Sequence, residues 1–173
     1  MVIYLVRHGR TKWSVSNRIQ GWLDVPLSKE GREDAIKTAR EISKEKFDHI
    51  YSSPLKRALE TALIIRRETG FKGPVKVLEE LKELNQGRWN GLYVWQASIL
   101  WPRRYRSWKL NPWGVVPPGG EGLKDLKRRV EAAVKIMTRE KGNVLVVSHK
   151  VVIAMIKIIL LKLPAEKIWE YLP

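Results

Sequence analysis

Two histidines occupy matching places in this chain. His8 lies just beyond the apolar run Val2 to Val6, and His149 just beyond Val144 to Val147, so each stands where a segment of strand character ends. In an open α/β sheet, ligands bind outside the carboxyl ends of the strands, which is where both imidazoles would then lie. Gly9 permits a sharp turn and lets backbone N–H groups approach an anion closely. Arg7 precedes His8. Arg57 falls in the first turn of a helix expected to begin at Ser53 and Pro54, where the helix dipole disfavours a cation unless an anion is present. Each residue alone also has a plain reading, as a packed histidine or an arginine turned to water. Taken together, His8, His149, Arg7 and Arg57 describe a pocket for a phosphate group that needs no metal ion and no cofactor.

Breaking a phosphate ester requires an acid for the leaving oxygen. The stretch ELKELNQGRWNG and the residue before it offer Glu79, Glu80 and Glu83, and Glu83 lies nearest the turn at Gly87 that would aim it inward. The three histidines, His8, His49 and His149, lack the carboxylate company of a two-metal phosphatase. His49 precedes a strand instead of ending one, and reads as a surface residue at the opposite edge.

These residues need a scaffold. Strand-length apolar runs at Val2 to Val6, Ile50 to Tyr51, Val75 to Leu78 and Val144 to Val147 alternate with segments of helical period. The alternation predicts an α/β fold, three-layer α/β/α, with a mostly parallel central sheet covered on both faces. Helices are expected from Ser28, a good cap, to Lys44, from Ser53 onward through Leu55, Ala58, Leu59, Ala62 and Leu63, and from Leu123 to about Arg139. Val151 to Leu163 reads as a buried helix, since Lys157 and Lys162 interrupt it and it falls short of the roughly 20 residues of a membrane span. The length suits a single domain, 1–173, with 95–120 as a lid-like insertion in which tryptophans alternate with arginines before VVPPGG. Those tryptophans read either as plugs against the sheet or as a surface on which a substrate ring could stack.

Composition narrows the chemistry. There is no cysteine, so disulfides and thiolate nucleophiles are excluded. The N-terminus lacks the pattern of an export signal, and a cytoplasmic location is expected, with no membrane partner. The formal charge of +15 suits an anionic substrate. The basic residues are scattered, which argues against nucleic acid and fits a thermophile-type charged surface. A homodimer is compatible with the chain.

Several segments together resemble the histidine phosphatase superfamily, the phosphoglycerate mutase-like group. Arg7 to Thr11 is similar to its Arg-His-Gly-Glu/Gln-Thr signature, NRIQGWLDVPL to the usual continuation, and SSPLKRALETA to the second block. KELNQGRWNG, PPGGEGL and VVSH match the later blocks in order, over nearly the whole chain. The resemblance implies that His8 is the nucleophile, that Arg7, Arg57 and His149 bind the phosphoryl oxygens, and that Glu83 is acid and then base. It places Arg18, Gln20 and Gly21 at the substrate entrance, and Gly120 with Glu121 where the pocket closes. Departures are Arg10 for Glu or Gln, Ser14 for Asn, Gly122 for Ser, and Lys150 with Val151 for Gly-Gly. Arg10 and Lys150 are expected to add positive charge beside the pocket, and a closing C-terminal strand is not visible after Trp169.

The function so implied is metal-independent hydrolysis of small phosphate monoesters through a phosphohistidine, similar to the α-ribazole phosphatases and broad-specificity phosphatases. The alternatives are a phosphoglycerate mutase, and a non-catalytic basic protein that binds phosphate or nucleic acid.

Overall fold

The computed structural model covers residues 1–173. Four parallel strands, β1 (Ile3–Arg7), β2 (His49–Ser52), β3 (Val75–Val77) and β4 (Val144–Ser148), form one sheet in the order β1-β4-β2-β3. Consecutive β4 side chains point to opposite faces, and both are covered, which is why the strand is apolar at four successive positions. Leu145 and Val147 meet a layer made by α2 (Lys29–Glu41) and α3 (Lys56–Thr69), through Ala39, Ala58, Ala62 and Ile65. Val144 and Val146 meet the opposite layer, α6 (Leu123–Thr138) and α7 (Lys150–Leu161), where Leu126, Val130, Val152 and Ile156 are buried. The expected three-layer α/β/α fold is therefore the one observed, with all four strands parallel.

The helix boundaries differ from expectation for local reasons. Ser28 caps α2 by accepting the Gly31 N–H, but the helix stops at Glu41, short of Lys44. α3 begins at Lys56, not at Ser53 and Pro54. The Ser53 hydroxyl accepts the Leu55 N–H and contacts His149, so it is not free to cap, and Asp24 accepts the Lys56 N–H at 2.7 Å in its place. Leu63 is exposed, and the buried face of α3 runs through Ala58, Thr61, Ala62 and Ile65.

Residues 94–114 form α4 (Val94–Leu100), α5 (Pro102–Leu110) and a 3-10 turn, with α1 (Lys12–Val15) earlier in the chain completing the helices. Trp108 of α5 packs edge-on between Trp89 and Trp169 and is buried, whereas Trp95 of α4 is 59% exposed. The chain after α7 is a 3-10 run, Ala165–Tyr171, and no strand follows, so β1 remains an edge of the sheet. No helix is long and apolar enough to cross a membrane.

Candidate active site

Sheet register brings the two histidines together. Arg7 pairs with Ser148 across β1 and β4, and the His8 N–H donates to the Ser148 carbonyl at 3.0 Å. The two rings then stand 5.1 Å apart between centroids, tilted by 58°. His8 Nδ1 lies 2.8 Å from the Gly9 carbonyl oxygen, which can only accept, so Nδ1 carries the proton and Nε2 keeps its lone pair. Gly9 is required at this turn because a Cβ there would sit 2.1 Å from the Gly31 carbonyl oxygen.

Arg57, in the first turn of α3, is 1% exposed and reaches back to the loop after α1. It donates to the carbonyls of Leu23 and Gly21 at 2.8 and 2.7 Å, while its Nε is buried without a partner. His149 is fully buried; its Nε2 lies 2.8 Å from Ser53 Oγ, and its Nδ1 has no partner. Two buried nitrogens therefore stand unpaired beside the His8 imidazole, where most buried polar groups would be satisfied. Arg7 is exposed at the end of β1 and borders, with His8, a polar cavity of about 300 Å³ on the α2 side. Arg57, Glu83 and His149 do not line that cavity, though the Arg57 charge acts on His8, Glu83 and His149 alike.

Burial sets the protonation states. Desolvation, then the Arg57 and Arg7 charges, lower the His8 pKa to about 3, and the Gly9 hydrogen bond opposes this only partly. His149 is pushed well below the usual imidazole range, by desolvation first and the neighbouring cations second. It is therefore neutral at pH 7. Desolvation also lowers Arg57, to about 10, which leaves it charged at neutral pH.

Glu83 is half-buried with its carboxyl desolvated, while Glu79 faces solvent in an ion pair with Lys82. Its carboxylate accepts the Leu84 N–H at 2.8 Å and the Val151 N–H at 3.4 Å. Desolvation raises its pKa against the lowering effect of those bonds and of Arg57. Arg129 of α6 holds this segment. It donates to the carbonyls of Glu80, Lys82 and Glu83 and to both carboxylate oxygens of Glu121. Trp22 Nε1 donates to the Glu83 carbonyl from the other side, at 2.6 Å. Sequence reasoning did not find Arg129, Ser53 or Trp22. The available signal for Arg129 was an arginine three residues from Leu126 and one before Val130, at the margin of the buried stripe.

The remaining nominated residues lie around this centre. Gly21 contributes its carbonyl to Arg57, and Gln20 accepts the Thr11 hydroxyl at 2.9 Å. Arg18 donates to the Gly91 carbonyl and stacks on Trp13 at 4.0 Å, so its guanidinium is held at the wall. Gly120 and Glu121 meet the backbone two residues after Glu83. The Glu121 N–H donates to the Asn85 carbonyl, its side chain accepts the Asn85 N–H, and a Cβ on Gly120 would lie 2.5 Å from that same carbonyl oxygen. Arg10 makes a two-pronged ion pair with Asp34 at 2.7 and 2.8 Å, so its charge is met locally and not added to the pocket as expected. His49 starts β2, an interior strand, at the end of the sheet away from His8. It is half-buried, not a surface residue at an edge. No three His, Asp or Glu side chains converge as a metal site.

A three-layer α/β/α fold with paired histidines at the carboxyl ends of adjacent parallel strands, a buried arginine and a buried carboxyl defines a class of phosphoryl-handling proteins. The chain belongs to the histidine phosphatase superfamily (branch 1), whose model matches residues 3–172. It is 42% identical over 151 residues to phosphoglycerate mutase-like protein 4 of Arabidopsis thaliana, a match covering 85% of this chain and 65% of that protein. It is 35% identical over 171 residues to phosphoserine phosphatase 1 of Hydrogenobacter thermophilus, covering 98% and 80%. Among solved structures, the α-ribazole phosphatase from Shigella flexneri superposes with a TM-score of 0.89 at 28% identity, covering 98% of this chain and 84% of that one. The chain thus spans about two thirds of the first relative's length and more than three quarters of the other two.

Proposed function

We propose that this protein hydrolyses small phosphate monoesters without a metal ion, through a phosphohistidine on His8. The observation that carries the reading is the neutral, desolvated His8 with Nε2 free, beside the unpaired Arg57 Nε and His149 Nδ1. Nε2 attacks phosphorus, the N–P bond forms as the ester P–O bond breaks, and the proton of Glu83 goes to the departing oxygen. Water then attacks phosphorus and yields its proton to Glu83. The N–P bond breaks with its electron pair returning to Nε2, and inorganic phosphate leaves.

Arg57 supplies fixed positive charge and Nε–H to the equatorial oxygens, with Arg7 at the open side. Ser53 accepts the Leu55 N–H, so its own proton is available to His149 Nε2, which leaves Nδ1–H as a donor to phosphate. The phosphate dianion itself favours this arrangement, because each unpaired buried donor gains an acceptor on binding.

Rapid quenching at alkaline pH with a labelled monoester in excess EDTA tests this. Label retained on the protein, acid-labile and absent from His8→Ala, is the expected result, with phosphate release unaffected by the chelator. Label that persists in the His8 variant, or turnover that stops with EDTA, overturns the proposal. Including 3-phosphoglycerate and a bisphosphate primer reads mutase activity in the same assay.

A further inference from the structure

The phosphate centre accounts for one half of a monoester, and the other half must sit next to Glu83, which protonates the leaving oxygen. A second cavity, of about 440 Å³, lies close by: Lys150 and Val151, which follow His149, line it, although His149 and Glu83 themselves do not. The Val151 N–H also donates to the Glu83 carboxylate at 3.4 Å, beside the Leu84 N–H at 2.8 Å, so the acid and this space share Val151. The walls are flat and apolar: Trp108 and Tyr105 of the lid helix α5, and Trp169 of the closing 3-10 run. Trp169 Nε1 is buried without a hydrogen-bond partner, a donor waiting for an acceptor. At the rim stand Lys150, one residue after His149, and Lys109 of α5, both exposed. Neither makes an ion pair with a carboxylate of the chain, unlike Arg10.

Resting on the phosphatase reading, we infer that this cavity receives the leaving group, and that the substrates it favours carry a flat apolar leaving group with an anionic substituent at its far end. The aromatic walls bury a ring at low entropic cost, and a pocket with apolar walls and a few placed polar groups is how small-molecule sites commonly select. Lys150 and Lys109 meet the anion at the solvent side. Lys150 thereby gains a role as a specificity residue in place of the small residue common at this position in the family it resembles.

The test compares 4-carboxyphenyl phosphate with 4-carbamoylphenyl phosphate, equal in shape and different in charge. The wild-type protein is expected to favour the carboxylate by about fivefold in kcat/KM, the worth of one part-exposed ion pair. In Lys150→Met that ratio falls toward one, with Lys109→Met in the same direction. Val94→Trp, placed at the cavity from its exposed side, is expected to lower kcat/KM for benzyl phosphate relative to methyl phosphate. Equal ratios in the wild type and the Lys150 variant, or a Val94 variant that does not discriminate, overturn this inference while the phosphatase reading stands. No phosphate release from any monoester overturns that reading instead.

Discussion

The two ends of the sheet carry similar side chains in opposite conditions. At the amino ends of the strands, Glu140 accepts from Tyr51, from Lys76 at 2.5 Å, and lies 3.4 Å from His49, whose Nε2 also meets the Lys141 carbonyl. Here the bonds favour the charged forms: Lys76 holds the Glu140 carboxyl below its ordinary range, and Glu140 holds the Lys76 ammonium above its own. At the carboxyl ends, His8, Glu83 and Arg57 are all moved by desolvation toward their neutral forms, and two buried nitrogens lack partners. One cluster is satisfied and wet, the other dry and incompletely paired. The contrast shows that residue type alone does not separate the two ends; desolvation together with unmet bonding does.

The widest expected separation is in turnover. His8→Ala should lower kcat by about 10³-fold or more, as nucleophile removal does elsewhere, while His49→Ala should stay within twofold. Steady-state phosphate release measures both, and comparable losses in the two variants would erase the distinction between the ends.

Next in size is Arg129→Met. Its guanidinium satisfies three carbonyls and the largely buried Glu121, so removal should cost about 3 kcal/mol in urea denaturation, the low end for breaking a buried pair. If Arg129 also positions Glu83, alkyl phosphates should lose more rate than p-nitrophenyl phosphate, whose leaving group needs no acid. A uniform loss would mark Arg129 as structural only.

The histidine centre should also shape acid stability. His8 is held at about 3 in the folded protein against 6.5 when free, so between those values the unfolded chain binds more protons. Stability from this group is complete above pH 6.5 and is lost as pH falls toward 3, with a slope of at most about 1.4 kcal/mol per pH unit. His149 acts in the same direction. Glu83, raised by burial, acts oppositely: its contribution is greatest in acid and is lost as pH rises above its free value. His8→Asn should flatten the acid limb of the urea midpoint plotted against pH, and an unchanged slope would contradict the desolvated imidazole.

What the sequence disclosed follows from how local each signal is. His8 and His149 were legible because apolar runs fix strand ends within a residue or so, and parallel topology then puts strand ends together. Arg57 was legible through its conflict with a helix dipole, even though α3 starts later than Ser53 suggests. The segment 95–120 was read without its helices, although Pro102 at the first position of α5 was a usable start signal. Arg129, Ser53 and Trp22 act across contacts of 46, 96 and 61 residues, which no spacing rule reaches. Gly120 and Glu121 were placed at the pocket by resemblance, and their contacts with Asn85, 36 residues before Glu121, had no local signal.

The smallest effect should come from Glu140→Gln, and it sharpens the contrast because it removes a carboxylate bonded to three neighbours. Lys76 and His49 remain within reach of water, and the buried Tyr51 hydroxyl keeps Lys76 at 3.4 Å, so screening and rehydration offset most of the lost attraction. The sign follows from the lowered Glu140 carboxyl: its contribution is present above the free carboxylate value and disappears as pH falls through the folded one. Wild type and variant should therefore differ slightly in Tm at neutral pH and low salt, converge in acid, and converge again in 1 M NaCl. Turnover should be the same throughout. A salt-independent loss of Tm would mean that the amino-end cluster is as dry as the histidine centre, and a loss of kcat would mean that the two ends of the sheet are coupled.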